Sequence, residues 1–201
     1  MATRTDSVEL FRSNVAQIVV ALLLVALIVA GRLLPHAANF TPVAAVGLFA
    51  GVYFRKIWAP LLPLAGLLIS DLFIGGYGVR GMVVVYGSFA LTFLIGKVMA
   101  RGGLFAKRGR FGSKFVRILG GSIVGAVLFF LITNNVFLYT PALYSHDFAG
   151  MMASYVAGLP FFRSQIMGDL FYSGVLFGIC EVVKILVTTS ERKLAHSSSK
   201  R

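Results

Sequence analysis

Residues 15–31, VAQIVVALLLVALIVAG, run for seventeen positions without a charge or a proline. At about 20 residues per crossing, such a run reads as a membrane-spanning helix. Arg4 and Arg12 precede it, as basic residues precede the apolar core of a signal peptide. No A-x-A-like site leads from it into a hydrophilic chain, however, because further apolar segments follow directly, so it reads as a retained helix.

Five more runs extend the pattern. They are 42–54 (PVAAVGLFAGVYF), 58–75 with Pro60 and Pro63 near its start, 82–100 with Lys97 near its end, 118–139 with Asn134 and Asn135 in its last turns, and 170–189 with Glu181 and Lys184. A mixed segment, 140–169, separates the last two. Within it, 145–158 (SHDFAGMMASYVAG) is rich in glycine, and the sequence leaves open whether it forms a surface helix. The 201 residues are 58% hydrophobic and 13% charged, with mean hydropathy +0.86. A soluble domain carries about 45–50% apolar and about 25% charged residues. This composition excludes a soluble globular enzyme and a disordered chain. The predicted fold is all-α: an integral membrane bundle of six transmembrane helices over 15–189, with a cytoplasmic N-terminal segment 1–14 and a disordered cytoplasmic tail 190–201. One cysteine, Cys180, excludes a disulfide framework or a multi-cysteine metal site, and its apolar neighbours predict an inert core thiol.

Nineteen Lys and Arg against seven Asp and Glu give a net charge of +12. With six spans and the N-terminus inside, only Arg32, Arg80 and Arg163 fall on the outer side, and the other sixteen basic residues fall inside. That asymmetry predicts a multi-pass membrane protein with both termini cytoplasmic. The densest run, 101–117 (RGGLFAKRGRFGSKFVR), is expected to face anionic lipid. Topology accounts for the charge, so nucleic acid is not an expected partner.

Polar residues within spans are costly and mark function. Here they converge on the outer third: Arg32, His36 and Asn39 after the first span, Ser70, Asp71 and Tyr77 at the end of the third, Asn134, Asn135 and Tyr139 on the fifth, and Arg163, Gln165, Asp169 and Tyr172 before or on the sixth. Asp71 has two readings, a ligand contact or a buried pair with Arg32 or Arg80. Asp169 with Arg163 also fits an ordinary helix start, and His36 and His146 also fit plain interfacial histidines. Glu181 and Lys184, at i and i+3, predict a structural ion pair. The small residues Ala26 and Ala30 permit close helix packing.

No Walker loop, HExxH or GxSxG is present, so the chain is not expected to hydrolyse ATP or to be an enzyme, and no cofactor or metal is expected. Two other classes stay open. One is an intramembrane enzyme using Asp71, His36 and Asp169 as acid–base groups. The other is an assembly protein whose polar cluster binds a subunit. A wet concave pocket of several hundred cubic ångströms would favour ligand binding, and a dry filled cluster would favour assembly.

The stretches ALLLVALIVAGRLLP and PLLPLAGLLISDLFIGG resemble the opening helix and the third segment of the substrate-binding S components of energy-coupling-factor (ECF) vitamin transporters. RLLPHAANFTPVAAVGLFAG, SDLFIGG, LITNN and GLPFFRSQIMGDLFYSGVLFG are more closely similar to an uncharacterised bacterial membrane family of the same architecture. The S-component resemblance implies capture of a vitamin-like small molecule in an outward-facing pocket, followed by tilting on a transmembrane coupling subunit driven by two ATPases. Ala26 and Ala30 would lie on the docking helix. Cobalamin-binding S components use a mid-chain cysteine near the pocket, and Cys180 on the last helix does not match it.

The resemblance and the polar cluster together assign substrate binding to ten residues. Arg32, His36 and Asn39 follow the first span, Asp71, Tyr77 and Arg80 end the third or follow it, and Asn134, Asn135, Arg163 and Asp169 come from the last two. Charges of both signs suit a zwitterionic or amide-bearing ligand.

Overall fold

The computed structural model describes residues 13–102, 111–138 and 143–198. Among them the chain forms six α-helices and no strand: α1 (Asn14–Leu33), α2 (Val43–Tyr53), α3 (Leu61–Ile74), α4 (Val79–Ala100), α5 (Phe111–Thr133) and α6 (Phe148–Ser198). Four are long and apolar enough to cross a membrane, as in a multi-pass membrane protein: α1, α4, α5 from Lys114, and Phe148–Val187 of α6. At 1.5 Å per residue, α2 reaches only about 16 Å and α3 about 21 Å, against a hydrocarbon layer of about 30 Å.

The shortness of α2 shapes the bundle. Every residue from Val43 to Gly51 is buried, as expected of a helix that is apolar all round. It touches all five other helices, most extensively α4. Three glycines bring those two helices together. A Cβ at Gly51 would fall on the Phe93 carbonyl and 2.9 Å from the Gly96 Cα, one at Gly96 would fall on the Leu48 carbonyl, and one at Gly47 would fall on the Thr92 hydroxyl. The small-residue seam of this protein is therefore Gly47–Gly51 against Gly96, whereas Ala26 and Ala30 lie exposed on α1.

In α3, Pro60 is the N-cap and Pro63 sits in the first turn, where backbone N–H groups have no partner within the helix to lose. The helix ends at Gly75 with φ +94°, and Gly78 with φ +80° opens α4. A side chain rarely adopts either conformation.

The sixth helix departs most from expectation. The segment 140–169 was expected to be mixed and 190–201 to be disordered, yet one helix runs from Phe148 to Ser198. Its glycines are not breaks. None has positive φ; Gly158 admits Asn134 at a distance a Cβ would forbid, and Gly168 lies where a Cβ would crowd the Phe40–Thr41 backbone. Pro160 costs one backbone hydrogen bond without ending the helix. The tail from 199 and residues 103–110 of the 101–117 run lie outside the described residues.

Cations clasp the end of the bundle where α1 begins and the long helices α4 and α6 run out. Lys97 of α4 donates to the Phe54 carbonyl at the close of α2 (3.1 Å), and Arg117 of α5 donates to the Met99 carbonyl near the close of α4. Both satisfy carbonyls that a helix end leaves open and oppose its dipole. The expected pair forms, with Lys184 Nζ 2.9 Å from Glu181, and the same ammonium lies 3.2 Å from the Tyr53 hydroxyl. Cys180 is buried in the core cluster.

Backbone atoms cannot move aside as a flexible side chain can. Gly51→Val is therefore expected to destabilise the bundle by about 2 kcal/mol or more. Gly87→Ala, on a part of α4 with no neighbour in reach, should be neutral or stabilise by up to about 1 kcal/mol. Thermal unfolding of both variants in detergent checks the contrast.

A second expectation concerns the start of α6. Asp147 Oδ1 accepts from the Gly150 N–H at 2.7 Å and from the Ser145 hydroxyl at 2.8 Å. These bonds hold its carboxyl below the ordinary value. The ionised form is the one held, so the cap is at full strength above about pH 4 and weakens as pH falls through the depressed value. After correction for intrinsic rates, Gly150 amide exchange should be less protected at about pH 3 than at about pH 6. In Asp147→Ala that difference should vanish.

Candidate ligand-binding cavity

α2 runs alongside α4 in the same direction, with Gly47 beside Phe89 and Thr92, and Gly51 beside Phe93 and Gly96. By that register α4 starts roughly two turns beyond the first residue of α2. The space over the N-terminal end of α2 is a cavity of about 360 Å³. Thr41 and Val43 form its floor. No side chain caps α2, and its N-cap is Pro42. The N–H groups of the first turn are thus directed toward the cavity with the positive end of the helix dipole.

The walls come from the other helices. Arg32 stands on α1, Leu67 and Ile74 on α3, and Tyr77 follows α3. Val85 and Phe89 of α4 meet Phe129 of α5, and the Phe89 and Phe129 ring centroids are 4.5 Å apart. Gln165 and Asp169 of α6 complete the ring. A second cavity of about 260 Å³ shares Asn39, Phe129 and Gln165 and continues between α5 and α6 past Asn134 and Phe162.

One wall is held by an ion pair. Arg32 Nη1 lies 2.7 Å from Asp71 Oδ1, and the same nitrogen donates to Ser70 Oγ (2.6 Å) and the Leu67 carbonyl (3.2 Å). Tyr86 donates its hydroxyl to Asp71 Oδ2 at 2.6 Å. Asp71 has both oxygens engaged and is buried. Of its two readings, the structure shows the pair with Arg32, and Asp71 positions that arginine without lining the cavity itself.

The loop after α1 reaches over the cavity. Phe40 N–H bonds to the Ala37 carbonyl at 2.9 Å, with Asn39 at φ +61°, a conformation asparagine tolerates better than most side chains. The Phe40 ring packs on Tyr172 with centroids 5.6 Å apart, anchoring the loop to α6. His36 Nδ1 lies 2.6 Å from the Leu34 carbonyl, so Nδ1 is the donor in that contact.

On α6 two buried polar groups are only partly satisfied. Gln165 and Asp169 are 4% and 2% exposed. Their positions, i and i+4, put them on one helix face. Asp169 has Gln165 as its polar neighbour, yet Gln165 Nε2 and Asp169 Oδ2 each lack a hydrogen-bond partner among the described residues.

Six of the ten assigned residues line the cavities: Arg32, His36, Asn39, Tyr77 and Asp169 the first, and Asn39 and Asn134 the second. Arg80 and Arg163 are exposed and line neither. Asn135 instead accepts from the Phe137 N–H at 3.0 Å within the turn after α5. The sequence reading placed Gln165 in the polar cluster without assigning it a ligand contact, although its spacing from Asp169 was visible. It missed Thr41, Tyr86 and the Phe89–Phe129 pair, which only the packing brings together. Among the described residues, no three His, Cys, Asp or Glu side chains gather as metal ligands would.

Removing one partner of a buried ion pair strands the other. Asp71→Ala is expected to cost roughly 3–5 kcal/mol, whereas Tyr86→Phe, which deletes one hydrogen bond to a carboxylate, should cost about 1.5–3 kcal/mol. Unfolding followed by the single tryptophan, Trp58, reads both. Equal losses would show that the pair carries no more than the tyrosine bond.

No curated protein and no solved structure matches the chain. Residues 12–191 match a family described as "Family of unknown function (DUF6580)". The match takes in all of α1 to α5, and α6 as far as Glu191. The chain belongs to that family.

Proposed function

We propose that this protein is a membrane-embedded solute-binding component that captures a vitamin-like small molecule in the cavity over α2 and passes it on for uptake. The observation that carries this reading is the cavity itself. Ligand sites occupy about 300–1,000 Å³, with apolar walls and a few convergent polar groups. This one, at about 360 Å³, joins Phe89, Phe129 and Leu67 to Arg32, Gln165 and Asp169. A subunit-binding cluster in an assembly protein would be filled by its own side chains.

The cavity lies at the end of the bundle opposite Lys97, Arg117 and Lys184. By the positive-inside tendency that cationic end is cytoplasmic, facing anionic lipid, with both termini there and the cavity open to the exterior. The resemblance to ECF S components supports a partnership with a transmembrane coupling subunit and ATPases, since this chain has no nucleotide-binding loop of its own. Ala26 and Ala30, uncovered on α1, would be the docking surface. No catalytic step is assigned to the chain.

Mass spectrometry of the detergent-purified protein tests this. A stoichiometric small molecule is expected to be released from wild type and lost from Val85→Phe, which narrows the cavity. An empty protein that instead co-purifies with other membrane proteins would overturn the reading in favour of an assembly role.

A further inference from the structure

Resting on the cavity as a ligand site, we infer that Gln165 and Asp169 form a donor–acceptor pair on α6 that recognises the edge of a planar cyclic amide or ureide, where a ring N–H stands beside a ring carbonyl. Asp169 Oδ2 offers an acceptor and Gln165 Nε2 a donor. Both are buried and unpartnered, and both residues line the cavity.

A buried polar group without a partner is costly, so a bound molecule that satisfies both atoms gains twice. The pairing limits what that molecule is. A carboxylate or phosphate offers acceptors alone, with no hydrogen for Asp169 Oδ2. A simple ammonium would satisfy Asp169 and leave the Gln165 amide without an acceptor. A cis-amide edge meets both requirements at once: its N–H points to the carboxylate and its carbonyl to the amide. Residues at i and i+4 have Cβ atoms about 5–6 Å apart, a spacing from which two side chains converge on adjacent atoms of one ring edge. The Phe89 and Phe129 rings beside them provide flat apolar surface for the ring itself.

The Arg32–Asp71 pair has a different part. Its charges cancel across one wall, so it does not demand a charged ligand. The room available, about a dozen waters at about 30 Å³ each, suits a one- or two-ring molecule.

The test titrates the detergent-purified full chain with uracil and lumazine, cyclic ureides of two sizes, and with 1,3-dimethyluracil and 1,3-dimethyllumazine, which have no N–H. At least one ureide should bind saturably, with its dimethyl form weaker by about a hundredfold or more, because the methyl group leaves the buried acceptor unpaired. Gln165→Met, similar in shape without the donor, should weaken binding to a similar degree. Asp169→Leu should abolish it, whereas Asp169→Asn, which keeps an acceptor oxygen, should retain affinity within about tenfold. The methylation contrast on wild type needs no variant to fold. Equal binding of the methylated and unmethylated rings, or ureide binding unchanged in Gln165→Met, overturns the inference. If neither ureide binds, the molecule released from wild type decides. One that carries the N–H/carbonyl edge supports the inference, and one without it overturns edge recognition while solute binding stands. A protein that releases nothing and binds neither ureide overturns both.

Discussion

A helix of eleven residues sits at the centre of this bundle with every side chain from Val43 to Gly51 buried, and it is too short to reach across. Its place depends on the backbone-to-backbone contact of Gly51 with Gly96 and on Gly47, which admits the Thr92 side chain. The other helices close around it, and because α4 continues beyond it at one end, that end holds a cavity. The same packing that makes the core compact around α2 thus leaves the space above it open.

Polar groups divide between two tasks according to where they stand. Around Arg32 they engage one another: the guanidinium, Asp71, Ser70, Tyr86 and the Leu67 carbonyl are joined by an ion pair and hydrogen bonds between 2.6 and 3.2 Å. On α6, Gln165 and Asp169 are buried with atoms left over. A chain that already bears the cost of burying Arg32 with a nearly complete set of partners, yet leaves these two incomplete, fits a site finished by something it binds.

Much of the architecture was legible in the sequence, because charge-free apolar runs have few alternatives to helices. The gathering of polar residues at one end was also legible: Arg32, His36, Asn39, Tyr77 and Asp169 were read from position and do line the first cavity. What escaped depended on partners. Glycine at 150, 158 and 168 reads equally as a breaker or as a contact for a neighbour, and only the neighbours, Ser145, Asn134 and Phe40, decide. Gly47 acquires meaning only beside Thr92, and Gly51 only beside Gly96, forty-five residues further on. Tyr86 lies in an apolar run and carries no mark of its bond to Asp71. Arg80 and Arg163 stand outside both cavities for the opposite reason, since charge near the right depth does not say which way a side chain is turned.

The clasps at the cationic end give the bundle an uneven stiffness. There, Lys97 ties α4 to the end of α2, Arg117 ties α5 to the end of α4, and Lys184 ties α6 to Tyr53 of α2. At the cavity end the described polar links run within α1, α3 and α4 through Asp71, and between α5 and α6 through Tyr155 and the Leu131 carbonyl. Between those two groups lie ring contacts, Phe40 on Tyr172 and Phe89 on Phe129, which fix geometry less strictly than hydrogen bonds do. The clasped end is thus cross-linked through directed bonds, whereas the two groups of helices that form the mouth of the cavity meet through aromatic surface.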